Sequence, residues 1–338
     1  MMWRTSTTTV DMTFFNMLAE ETEVETESLK KEGNPELETE EEGASPQKLE
    51  IVWLNVAWYA ALHLLAAAGL YALLFKFKWQ TFLFVWFLCT INALGVTAGA
   101  HRLWSHRCYS ARLPYRVMLM LFNCVAMQND VITWSRDHRC HHKWTETEAD
   151  PHNYKRGLFF CHMGWLMCKK RREVTKKGRT LSLSDLYADP VLRFQRKYYV
   201  PLAFLTSVAM PTLVPVLLWG ETVRVAFLTA CTFRYVYALH VTWSVNSVAH
   251  WIGDRPYDPH IAAVENWTTA FLSMGEGWHN YHHTFPHDYK AAELPYFLNV
   301  STAFIDLFSL IGWTYGHKVV EPQTVDAVRR SRAAEPTQ

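Results

Sequence analysis

The apolar residues of this chain are gathered into blocks and are not spread at helix or strand period. Four blocks, 51–75, 81–100, 200–219 and 223–245, have the length to cross a hydrocarbon core of about 30 Å at about 1.5 Å per residue. Residues 76–80 separate the first two and 220–222 the last two, so each pair predicts a helical hairpin that returns to the side it left. Pro201, Pro211 and Pro215 disfavour soluble helices, whereas in a membrane bundle neighbouring groups satisfy the freed carbonyls. Soluble core helices are the plain alternative, and four such blocks in two hairpins weigh against it. Arg234, inside the last block, predicts a partner in the bundle interior. Leu113–Ala126 contains Arg116 and is too short to span. It reads as an interfacial or cap helix, as does 298–313, broken by Asp306. The fold expected is an all-α integral membrane protein with four transmembrane helices in two hairpins. Residues 101–199 and 246–318 form a helical cap on one side, and 1–50 and 319–338 are tails.

Charge adds orientation. Residues 1–50 hold 13 acids against 4 bases, while 101–200 hold 19 bases against 8 acids. The acidic stretch has little apolar surface to bury and reads as disordered. It also follows Met1–Thr9 where a signal peptide would need an apolar core. Lys169-Lys170-Arg171-Arg172 and Lys176-Lys177 lie between the hairpins, so the positive-inside rule puts the cap and, with even crossings, both termini in the cytosol. A chain that is 50% hydrophobic and 19% charged is not collagen-like, mucin-like or wholly disordered. Its 7 irregularly spaced cysteines are not a disulfide scaffold. A reducing, cytosol-facing location suits Cys108, Cys124, Cys140, Cys161 and Cys168.

Nine of the 16 histidines fall into a pattern. His101 and His106 form H-x4-H after the second crossing. His138, His141 and His142 form H-x2-H-H in the basic stretch, and His279, His282 and His283 repeat it after the fourth crossing. His250 stands alone, close to Asn246. All nine fall at or beyond the cap ends of the crossings. On a helix, residues i, i+3 and i+4 share a face, and the last two straddle the line through the first, so two triplets can serve two adjacent metals. Cys140 points away. His63, His260 and His317 read as ordinary polar residues. Imidazole suits iron, zinc, copper or nickel. Nine ligands are too many for a structural zinc ion and enough for two ions. Hydrolytic two-metal sites normally include carboxylates, and none lies within the boxes, which favours a redox di-iron centre. Asp137, Glu146, Glu148, Asp150 and Glu276 flank the boxes and either cap helices, pair with arginines or orient ligand histidines.

At these boxes the sequence resembles the membrane-bound fatty acyl-CoA desaturases of the animal stearoyl-CoA (Δ9) type. The resemblance rests on Thr97-Ala98-Gly99-Ala100-His101-Arg102-Leu103-Trp104-Ser105-His106, Asp137-His138-Arg139-Cys140-His141-His142-Lys143 and Ala149-Asp150-Pro151-His152-Asn153. It continues through Asn246-Ser247-Val248-Ala249-His250, Pro256-Tyr257-Asp258 and Gly275-Glu276-Gly277-Trp278-His279-Asn280-Tyr281-His282-His283-Thr284-Phe285-Pro286. It implies a desaturase domain over 51–318, with two irons on the nine histidines and Asn246 reaching one through a water. The implied reaction is O2-dependent removal of two hydrogens from a saturated long-chain acyl-CoA, giving a cis double bond, most simply Δ9. Cytochrome b5, reduced by an NADH-dependent cytochrome b5 reductase, would supply electrons at the endoplasmic reticulum membrane. No His-Pro-Gly-Gly haem segment occurs here, so the cytochrome is expected as a separate protein, and no nucleic acid is expected as a partner.

The resemblance also assigns a bent apolar tunnel that selects one methylene by position, kinked by Gln128, Trp134 and Thr242. CoA contacts fall on Asn55, Arg136, Asp137, Lys169, Lys170 and Trp243, although anchoring at an anionic leaflet explains Lys169 and Lys170 equally well. Cys89 and Ala93 mark the tunnel end. Mammalian-type members carry a tyrosine at the position of Cys89, so a longer acyl chain is expected to be tolerated here. Alternatives are other regioselectivity such as Δ11, a di-iron acyl hydroxylase or conjugase, a non-catalytic metal-binding relative, and a membrane haem electron carrier using His63 and His240.

Overall fold

The computed structural model describes residues 49–333; the acidic tail before residue 49 and the last five residues lie outside them. The principal helices are α1 (Trp53–Phe75), α2 (Trp79–Ser105), α3 (Leu113–Ala126), α4 (Val131–Lys143), α5 (Tyr199–Trp219), α6 (223–247), α7 (His279–Thr284), α8 (Val300–Ser309) and α9 (Pro322–Ala333). A two-residue antiparallel pair, Ser110–Ala111 with Thr314–Tyr315, is the one sheet among the described residues.

Helices α1, α2 and α5 are long and apolar enough to cross a membrane. Leu64 on α1 is 74% exposed and Leu217 on α5 is 75% exposed, and apolar faces of this kind require lipid or a partner. The expected fourth span, α6, is an unbroken helix of spanning length but is not apolar enough to join them. Its polar residues include Arg224, Arg234 and His240, and Thr229, Thr232 and Arg234 are buried. Helices α3 and α4 together also have the apolarity of a span but are bent by 81°. Met127 and Asn129 between them adopt left-handed backbone, and Asp130 caps α4 by accepting from the amides of Ile132 and Thr133.

The two hairpin tips meet. Lys78 Nζ donates to the carbonyls of Trp219 (2.8 Å) and Gly220 (2.7 Å). Glu221 accepts from the Lys78 amide (3.0 Å) and the Thr81 hydroxyl (2.6 Å). Both turns therefore lie at one end of the bundle and the histidine boxes at the other. Close helix contact needs glycine twice. A Cβ at Gly69 would lie 2.1 Å from the Leu228 carbonyl oxygen, and one at Gly95 would lie 2.4 Å from the backbone of α3.

Arg234 finds its partners in backbone oxygens. Its Nη1 donates to Val125 O (2.8 Å), and its Nη2 donates to Ser207 O (3.0 Å) and Oγ (2.9 Å). Ser207 lies in a π-helical turn, Leu205–Ala209, just before Pro211, which has no N–H to offer the backbone, and the guanidinium serves the Ser207 carbonyl there. Replacing Arg234 by Met strands these acceptors and is expected to cost about 3 kcal/mol, seen as a lower apparent melting temperature in detergent. An unchanged melting temperature would contradict this.

The C-terminal stretch, expected to be a tail, forms α9 in its described part. Val325 packs with Tyr257, Tyr281 and Phe285, so this helix braces the element that carries the third histidine box.

Candidate metal centre and acyl cavity

Each box is shaped by its helix. Residues 95–105 of α2 are π-helical, and the His106 amide bonds the His101 carbonyl five residues back at 3.1 Å. An α-helix would set residues five apart about 140° around the axis, whereas a π turn brings them together, which is what H-x4-H needs here. The second and third boxes lie on α4 and α7.

The nine histidines form two groups with ligand atoms within 4.8 Å of one another: His101, His106, His138, His142 and His282, and then His141, His250, His279 and His283. The two triplets interleave. The i and i+4 members of α4 join the first group and its i+3 member joins the second, while α7 does the reverse. Nε2 of His282 lies 2.9 Å from that of His101 and 3.0 Å from that of His142. The His106–His138 pair is at 2.8 Å, and the His279–His250 and His279–His283 pairs are at 3.0 and 3.1 Å.

Tautomers explain what the gap wants. His101 Nδ1 faces Glu276 Oε2 at 2.8 Å, and His141 Nδ1 faces Asp150 Oδ1 at 2.9 Å. In the neutral imidazole that a metal ligand requires, this contact puts the proton on Nδ1 and the lone pair on Nε2. That of His141 is buried with no hydrogen-bond partner. Burial first, and neighbouring imidazoles second, hold His138, His142, His282 and His283 well below the ordinary histidine range. Neutral nitrogens converging in this way fit metal cations.

The flanking acids divide. Asp150 and Glu276 orient ligand-type histidines. Burial alone would raise the Glu276 carboxyl, but Arg102 and His101 hold it down at about 2. Burial would likewise raise Asp137, yet Arg136 and Lys170 hold it well below the carboxylate range. Glu148 pairs with Arg156 and Arg171, and Glu146 accepts from the Ala262 amide at 2.6 Å. Cys140 points away as expected, with Sγ at 3.2 Å from Ala149 O and its thiol pushed up to about 12 by burial.

A cavity of about 270 Å³ adjoins the histidines. His101, His138, His141, His279 and Trp134 wall one end. Cys89, Asn92, Ala93, Val96, Thr97 and His101 follow one face of α2, with Trp86 at the far end. From Trp86 to His101 the helix rises roughly 20 Å.

Residues 77–298 match the Fatty acid desaturase family. The chain belongs to that family. It is 53% identical over 278 residues to the Δ(9)-fatty-acid desaturase fat-5 of Caenorhabditis elegans, covering 82% of this chain and 84% of that one. It is 49% identical to the acyl-CoA Δ12-desaturase of Acheta domesticus, over 81% of this chain and 77% of that one. It is also 49% identical to stearoyl-CoA desaturase 5 of Bos taurus, over 88% of each.

The desaturase brings some of the remaining sequence candidates to the cavity and leaves others apart. Trp134, Thr242, Asn246, Cys89 and Ala93 line it. Trp134 stacks on His138 with ring centroids 4.9 Å apart, and Gln128 Nε2 donates to Thr242 Oγ at 3.0 Å. Arg136, Asp137 and Lys170 form one ion-paired cluster beside the second box. Lys169 pairs with Glu50 at 2.5 Å. Asn55 ties α1 to Leu166 O at 2.8 Å. Trp243 is buried, edge-on to Tyr59 and His162. His63 and His240 bond each other directly, Nε2 to Nε2 at 3.0 Å, and His240 Nδ1 meets His162 Nε2 at 2.9 Å. No gap remains between His63 and His240 for a porphyrin.

Sequence reading passed over Arg102 and Asn92. Arg102 is fully buried and donates to Glu276 and to Asn299, Tyr289 and Lys290. A basic residue directly after a ligand-type histidine was the available signal. Asn92 had none.

Proposed function

We propose that the protein is an O2-dependent acyl-CoA Δ9 desaturase that introduces a cis double bond into a saturated long-chain acyl-CoA at the cytosolic face of the endoplasmic reticulum. The observation that carries this reading is two histidine groups, of five and four, beside an apolar cavity that follows one face of a membrane helix. The names of the relatives, Δ9 and stearoyl-CoA among them, support the substrate and position.

Two irons on the nine histidines, with Asn246 reaching one through a water, would supply the oxidising power of O2. In the overall reaction the chain gives up two hydrogens, and O2 becomes two waters with two electrons and two protons from outside. Cytochrome b5 and its NADH-dependent reductase are the proposed electron source. The protein's own work is positional. Cavity walls exclude water and hold the chain so that one pair of methylenes lies beside the histidines. The Gln128–Thr242 bond and Trp134 fix the wall there. Arg136 and Lys170, with Lys169, Asn55, Asp137 and Trp243, are the proposed CoA contacts, the cations matching its phosphates.

Expression in a yeast strain auxotrophic for unsaturated fatty acids, followed by localisation of the double bond, tests the reading. Growth on Δ9 products is expected, and no rescue by well-expressed protein would overturn it. A bulkier cavity end gives a further expectation. Cys89→Tyr should shift preference among acyl-CoAs of graded length toward shorter chains by about tenfold, and an unaltered length profile would contradict the assignment of Cys89 to the tunnel end.

A further inference from the structure

Away from the histidines, the acyl cavity holds a group that a plain hydrocarbon chain cannot satisfy. Asn92 is 3% exposed and lines the cavity within α2. Its Oδ1 is buried without a hydrogen-bond partner, in a membrane helix where an idle amide is costly. The threonines that share this lining are occupied. Thr97 bonds Ser301 at 2.7 Å, Thr90 bonds Trp86 O at 3.0 Å, and Thr242 bonds Gln128. Asn92 shares its helix face with Cys89, Ala93 and His101. It stands nine residues from His101, or roughly 13 Å of helix rise, on the side away from the histidines.

We infer that Asn92 is a specificity residue for acyl chains that carry an oxygen function, such as a hydroxyl, between the reacting carbons and the methyl end. The inference rests on the acyl-CoA reading of the cavity. A hydroxyl both donates and accepts, so it satisfies the amide whichever way the amide is turned. A stearoyl chain lays methylenes against it and leaves it unpaired. A site that hydrogen-bonds a substrate group discriminates strongly against the analogue lacking it.

The test is competition against labelled stearoyl-CoA for the full-length protein in microsomes. The competitors are hydroxystearoyl-CoAs with the hydroxyl at successive carbons of the distal half. One hydroxyl position is expected to compete better than stearoyl-CoA itself, and Asn92→Leu is expected to lower that advantage by about tenfold. Asn92→Ala, which removes the amide without adding bulk, is run beside it and should do the same. An advantage equal in wild type and both variants, or no favoured position at all, would overturn the inference. Failure of stearoyl-CoA itself to bind wild-type protein would instead remove the acyl-CoA reading, and the inference with it.

Discussion

Alanine in place of His282 is expected to lower turnover by more than about 100-fold while the protein still accumulates in membranes. His282 is the histidine that α7 sends into the group otherwise built from α2 and α4. Its Nε2 approaches those of both His101 and His142, and its ring lies 4.7 Å from that of His106. Removing it opens one site and leaves the group of His141, His250, His279 and His283 complete. Metal content should therefore fall by about half, alongside that loss of turnover. His317→Ala is the control, since its Nε2 faces Thr314 Oγ at 3.2 Å and belongs to neither group. Wild-type turnover in His282→Ala would remove the first group from the chemistry.

Glu276→Ala is expected to have the next largest effect, because this one carboxylate serves two buried partners. It fixes the tautomer of His101, and it accepts from Arg102 Nε (3.0 Å) and Nη2 (2.8 Å). Without it a fully buried guanidinium loses its counter-charge, at a cost of about 3–5 kcal/mol, and His101 loses its orientation, at about 10–100-fold in metal affinity. Glu276→Gln keeps an acceptor for His101 and should fall between alanine and wild type. Metal retained against graded chelator, read alongside protein yield, separates the two effects. Unaltered affinity in Glu276→Ala would show that His101 is held by other means.

The membrane helices and histidine triplets were legible because both are written in local sequence. Apolar runs of spanning length announce helices, and i, i+3, i+4 places imidazoles on one face. How the triplets interleave depends on the approach of α4 to α7, which no local pattern carries. The five-residue spacing of His101 and His106 held a clue to the π segment, since an α-helix sets such residues apart. The partners of Arg234 were not legible because they are Val125 O and Ser207 on two other helices. Five flanking acids looked alike in sequence, and only the fold separates Asp150 and Glu276, which face ligand-type imidazoles, from Asp137 and Glu148, which face only cations.

The most direct measurement is elemental analysis of purified full-length protein alongside its turnover. Two irons per chain are expected, with metal and activity lost together to a strong chelator and restored together by iron. A fully active preparation holding one ion per chain, or one whose turnover survives complete removal of metal, would contradict the paired site.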